Sequence, residues 1–116
     1  MIPTVEETIS QYVAAWNLKG YDEIKAGFAK CWAPEANYTD PHYALVEGLD
    51  GITKLAHNSF EQLPVRTFSV LTQPEHHHNT GSYRWKVEKP AGESGSGLDY
   101  FEFNDEHKIT RLVSFF

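Results

Sequence analysis

The chain has 116 residues and a net charge of −6, with ten Lys and Arg against sixteen Asp and Glu. That length supports one hydrophobic core, so a single domain over residues 1–116 is expected. The lone cysteine, Cys31, excludes an intrachain disulfide framework and a cysteine-rich zinc site, and the acidic balance speaks against nucleic acid as a partner. No apolar run approaches the roughly 20 residues needed to cross a bilayer. The segment Met1–Glu7 lacks the basic and apolar regions of a secretory signal, which predicts a cytoplasmic protein with no membrane partner.

In chain order, residues 4–19 predict a helix. Thr4 and Glu7 have capping-box spacing, Val5, Ile9, Tyr12, Val13 and Trp16 recur at helical intervals, and Gly20 is the expected stop. Residues 22–31 predict a second helix that buries Ile24 and Phe28 and ends before Pro34. Ala36–Pro41 reads as a short strand cut off by proline, followed by a loop through Tyr43 and Glu47. A third helix is expected from Asp50 or Gly51 to Leu63, packing through Ile52, Leu55, Ala56 and Phe60.

The period then changes to two. Val65–Gln73 and His76–Lys89 are strand-like, the latter alternating Gly81, Tyr83, Trp85 and Val87 with Ser82, Arg84, Lys86 and Glu88. Residues 90–95 form the expected loop, and Leu98–Phe103 and Lys108–Phe116 are two strands about a turn. Helices preceding a run of hairpin-connected strands indicate an α+β fold, with three helices packed on a curved, mainly antiparallel sheet.

Several side chains carry potential chemistry. Asp40 is a candidate general base, and equally an ordinary strand-end aspartate that satisfies backbone amides. Asp99 lies in an apolar strand; if it shares a face with Phe101 and Phe103 it is buried and needs a proton or a partner, for which Arg84 is a candidate. Tyr12 and Tyr38 carry hydroxyls suited to orienting an oxyanion. With Trp16, Trp32 and Trp85 they either line an aromatic cavity or simply pack. His42 stands beside the Asp40 segment. The run His76–His78 is a poor metal motif, because adjacent strand residues point to opposite faces, so no metal site is expected. Nothing resembles a phosphate-cradling or dinucleotide-binding glycine loop, and no cofactor is expected.

Three stretches together resemble the SnoaL-like branch of the nuclear-transport-factor-2-like superfamily of cone-shaped domains. They are the first helix with Tyr12 and Trp16, the segment Ala36-Asn37-Tyr38-Thr39-Asp40-Pro41 followed by Gly48, and Gly97–Phe103 leading into Asp105–Ile109. The likeness to ketosteroid isomerases implies that Asp40 shuttles a proton and that Asp99, kept protonated, stabilises an enolate oxygen with a tyrosine. Counting back from Gly20, that tyrosine position falls on Val13, next to Tyr12. The resemblance further implies that the final-strand face of Leu112, Ser114 and Phe116 closes the cavity, and that the chain pairs as a homodimer. The implied activity is a cofactor-independent isomerase or cyclase acting on a small hydrophobic carbonyl compound; a noncatalytic binder of a small apolar ligand is the other reading. The residues expected to matter are therefore Asp40, Asp99 and Tyr12 for chemistry, and Trp16, Trp32, Tyr38, His42, Trp85, Phe101, Leu112 and Phe116 for the pocket.

Overall fold

The computed structural model of the chain describes residues 2–116. Helix α1 (Val5–Ala15) starts where the capping box requires: the Thr4 hydroxyl accepts from the Glu7 amide at 3.0 Å, and the Glu7 carboxylate accepts from the Thr4 amide at 2.9 Å. Its apolar stripe of Ile9, Tyr12 and Val13 is buried. The helix ends at Ala15, earlier than its hydrophobic pattern suggests, and Gly20 serves as the N-cap of α2 (Tyr21–Ala29) rather than as a stop for α1. Helix α2 buries Ile24 and Phe28 as expected.

Two corrections follow in the next segment. Strand β1 spans Trp32–Asp40, longer than the proline-bounded Ala36–Pro41. Pro34 is accommodated because the β1 pairing with the last strand slips between Trp32 and Asn37, so the missing N–H falls in an irregular, exposed stretch. The expected loop after Pro41 is instead strand β2 (Tyr43–Glu47), an edge strand paired only with β1. Its side chains are mostly exposed, which removes the alternation that would have marked it. Helix α3 (Gly48–Gln62) buries Ile52, Thr53, Leu55 and Ala56 and packs against β1 and α2.

The second half is four strands and a short one: β3 (Thr67–Val70), β4 (Glu75–His77), β5 (Thr80–Glu88), β6 (Ser94–Phe103) and β7 (Ile109–Phe115). The histidine run straddles the β4–β5 hairpin, where His78 and Asn79 both adopt positive φ, the backbone such a two-residue turn demands. The sheet order is β2-β1-β7-β6-β5-β3, with β4 added to β5, and every pairing is antiparallel except β1 with β7. The result is three helices on an open curved sheet, the α+β architecture expected.

The core lies where helices meet sheet, and its centre is aromatic. Tyr12 stacks on Trp32 at 5.7 Å between centroids and on Phe28 at 5.6 Å. Phe101 and Phe103 extend it along β6. Cys31 is fully buried within it, its thiol pushed up to about 12 by burial, which suits a packing role rather than a nucleophilic one. Among the described residues no helix is long and apolar enough to cross a membrane.

Candidate active site

Between the helices and the sheet lies a cavity of about 590 Å³. Helix α1 supplies Tyr12, Val13 and Trp16, helix α3 supplies Leu55 and Ser59, β1 supplies Tyr38 and Asp40, and β5 supplies Trp85 and Val87. The inward faces of β6 and β7 add Asp99 and Ser114, and Phe116 closes one side. Strand β3 has a free edge, which the Asn17 side-chain amide clamps: its Nδ2 donates to the Phe68 carbonyl at 2.8 Å and its Oδ1 accepts from the Phe68 amide at 2.7 Å. This bond fixes Phe68 as a wall residue, in contact with Trp16 on one side and Trp85 on the other.

Asp99 sits at the buried end. Strand periodicity turns it inward with Phe101 and Phe103, and it is 4% exposed. The Tyr83 hydroxyl bonds one carboxyl oxygen, and the Trp85 indole N–H donates to the other at 2.8 Å. Burial raises the Asp99 carboxyl above its ordinary range; the neighbouring Ser114, Tyr83 and Trp85 side chains pull the other way. Arg84 is not its partner. The antiparallel register places Arg84 opposite Leu98, on the exposed face. Gly97 makes this arrangement possible, because the Trp85 ring lies so close over it that a Cβ there would stand 2.6 Å from Trp85 Cε2.

Asp40 closes β1 at the other end of the acidic pair. Its Oδ2 accepts from the Tyr38 hydroxyl at 2.8 Å, and its Oδ1 accepts from the amides of His42 at 2.8 Å and Tyr43 at 2.9 Å. The two amide bonds are the turn role open to any Asp-Pro aspartate, yet the carboxylate also faces the cavity. Burial raises the Tyr12, Tyr38 and Tyr83 hydroxyls, and the charges of Asp40 and Asp99 add to this for Tyr12 and Tyr38. Four groups able to exchange or direct protons therefore face one space: Asp40, Asp99, Tyr12 and Tyr38. Both Tyr12 and the adjacent Val13 line the cavity, so the one-residue offset does not remove Tyr12 from it.

Of the expected lining residues, Trp16, Tyr38, His42, Trp85 and Phe116 line the cavity. His42 and Trp85 both meet the Phe116 ring, at 5.5 and 5.8 Å. Trp32, Phe101 and Leu112 do not: each is 1% exposed or less and packs in the core behind the cavity wall. Trp32 is displaced from the wall because Tyr12 stacks over it. The sequence reading missed Arg66, whose side chain lines the cavity near its α3 end. It follows Pro64 and Val65 in a connection with no periodicity, so no local signal marked it. His57 pairs with Glu61 away from the cavity, and no cluster of three metal-binding side chains occurs among the described residues.

No curated protein matches the chain. Solved structures do. A candidate isomerase of the SnoaL-like family from Agrobacterium tumefaciens is 26% identical, with a TM-score of 0.86 and 97% of each chain covered. A candidate polyketide cyclase from Sinorhizobium meliloti shares the fold at 18% identity, with a TM-score of 0.73 and 93% of each chain covered. A protein of cystatin-like fold from Methylobium petroleophilum shares it at 17% identity and a TM-score of 0.76, over 96% of this chain and 74% of that one. The profile of the SnoaL-like domain matches residues 9–112, from the first core isoleucine of α1 to the buried leucine of β7. With the helices, the curved sheet and this match in agreement, the chain belongs to the SnoaL-like family, within the nuclear-transport-factor-2-like superfamily.

Proposed function

We propose that the protein is a cofactor-independent isomerase or cyclase that acts on a small hydrophobic carbonyl compound by proton transfer. The observation that carries this reading is that Asp40 and Asp99 line one mostly apolar cavity. Asp40, positioned by Tyr38 and two backbone amides, takes a proton from the carbon next to the carbonyl. Charge then develops on the carbonyl oxygen. Asp99, raised by burial and therefore favoured in its protonated form, and the Tyr12 hydroxyl are the donors available to that oxygen. Asp40 returns the proton at the product carbon.

The test begins with mass spectrometry of small molecules that copurify with the gently isolated protein. Turnover of the compound so identified is then compared between the parent and Asp40→Asn. Asparagine keeps an acceptor for the amides of residues 42 and 43 but cannot take a proton, so a fall of about 10²–10⁴-fold is expected with binding retained. Unchanged turnover removes Asp40 from the mechanism. The second reading, a noncatalytic binder of an apolar ligand, is favoured by the three donors already occupying Asp40, which also describe a carboxylate that merely ties a turn. A homodimer is part of the proposal, supported by the exposed apolar side chains Tyr43, Leu45 and Phe115 on the sheet. Light scattering that returns the mass of a single chain overturns the dimer.

A further inference from the structure

Arg66 is a cation without a counter-ion. It is 7% exposed, and none of its three guanidinium nitrogens has a hydrogen-bond partner among the described residues. Burial lowers its affinity for the proton, and no acidic side chain contributes to offset this. Two aromatic rings attend it: the Phe68 centroid lies 5.0 Å from Cζ and that of Phe60 5.6 Å away. Rings compensate a desolvated guanidinium only in part, since five N–H donors remain unused. A buried charge in this state is costly, and it becomes favourable when an acceptor of opposite charge arrives.

The register says where such an acceptor fits. Thr67 pairs with Glu88 at the end of the β3–β5 ladder, so Arg66 and Lys89 each lie one residue beyond that pair, and both line the cavity. Along β5, Val87 and Trp85 both line the cavity, and Trp85 holds Asp99. The Phe68 ring bridges the cationic end and the proton-handling end, its centroid 5.0 Å from Arg66 Cζ and 5.7 Å from that of the Trp85 ring. Val87, Phe68 and Leu55 make the stretch between them apolar.

We infer that the ligand is an amphiphile whose apolar body lies along Val87 and Phe68 and whose carboxylate pairs with Arg66. A planar guanidinium fork matches a planar carboxylate with two parallel hydrogen bonds. Engagement takes a torsional swing of the side chain off the two rings, because the nitrogens themselves are shielded in this conformation. This deepens the proposed function by naming a substrate class, and it rests on that reading only in taking the same cavity as the binding site.

The test uses ω-phenylhexanoate and its neutral primary amide, with binding followed by tryptophan fluorescence because Trp16 and Trp85 line the cavity. The parent is expected to bind the carboxylate at least tenfold more tightly than the amide, in 0.5 M salt as well as in dilute buffer, since a buried pair is screened little. Arg66→Gln should bring the ratio close to one without weakening the amide, and Arg66→Lys should restore part of the preference. Circular dichroism checks that each variant is folded. A ratio near one in the parent, no binding of either probe at millimolar concentration, a ratio that survives Arg66→Gln, or a preference that vanishes in salt each overturns the inference. Asp40→Asn separates the two ideas. Turnover lost with the probe preference intact supports both; a preference retained where Asp40→Asn leaves turnover unchanged spares the Arg66 anchor alone.

Discussion

Trp32→Ala is expected to lower stability by about 3–5 kcal/mol, the cost of removing a large aromatic side chain from a packed core. Trp32 is 1% exposed and lies parallel to Tyr12, with 16° between the ring planes, so its removal opens a void directly beneath a cavity-lining tyrosine. The loss is read as a lower midpoint in denaturant at unchanged slope. Trp32→Phe is the informative companion. The Trp32 indole nitrogen is buried without a hydrogen-bond partner, so phenylalanine sheds an unsatisfied donor while keeping most of the stack, and should cost far less. A small effect of Trp32→Ala would return this residue to the cavity wall where the sequence reading had placed it.

Asp99→Leu is expected to be comparably damaging for a different reason. It strips the partner from the buried Tyr83 hydroxyl and from the Trp85 indole, and each unsatisfied group costs about 1–3 kcal/mol. Asp99→Asn keeps an acceptor for Trp85 and a donor for Tyr83, so it should fold well and mimic the protonated acid. The pair also predicts a pH dependence. Because burial raises the folded Asp99 carboxyl above its ordinary value of 3.8, the folded chain holds that proton more tightly than the unfolded chain does. The stabilising contribution is full below 3.8 and is lost as pH rises through the folded value, then stays constant. The Asn variant lacks this loss, so its stability relative to the parent should increase across that window, by about 1.4 kcal/mol for each unit of displacement. Denaturant midpoints of the two proteins at a series of pH values measure it. A difference that does not change with pH removes the raised acid.

Helices and inward strand faces were legible because each has a period. The Thr4–Glu7 box opens α1, and alternation in β6 turns Asp99 toward the core. Asp40 was legible from its proline, although the same dipeptide equally announced the turn it caps. What escaped lacks local pattern. Strand β2 is an exposed edge whose only strand partner among the described residues is β1, and Pro34 looked like a terminus until a slipped register made room for it. Trp32, Phe101 and Leu112 were expected on the cavity wall, but depth behind a wall is set by which ring stacks over which, and only the packed structure decides that. Arg66 is the extreme case. Nothing within several residues of it in sequence foretells burial, which arises from α3 and β3 closing Phe60 and Phe68 around it.

The parallel pairing of β1 with β7 bears on how the chain reaches this state. Strand β1 carries the helical layer and β2, yet its central partner is the last strand of the sheet, so the two halves of the sheet cannot join until β7 is in place. The hairpins β5–β6 and β6–β7 close locally, whereas the β1–β7 ladder closes a loop that spans most of the chain. Such a contact is assembled late and slowly, and it leaves one side of β1 unpaired meanwhile. The cavity, whose walls come from both halves, is therefore among the last features of the molecule to form.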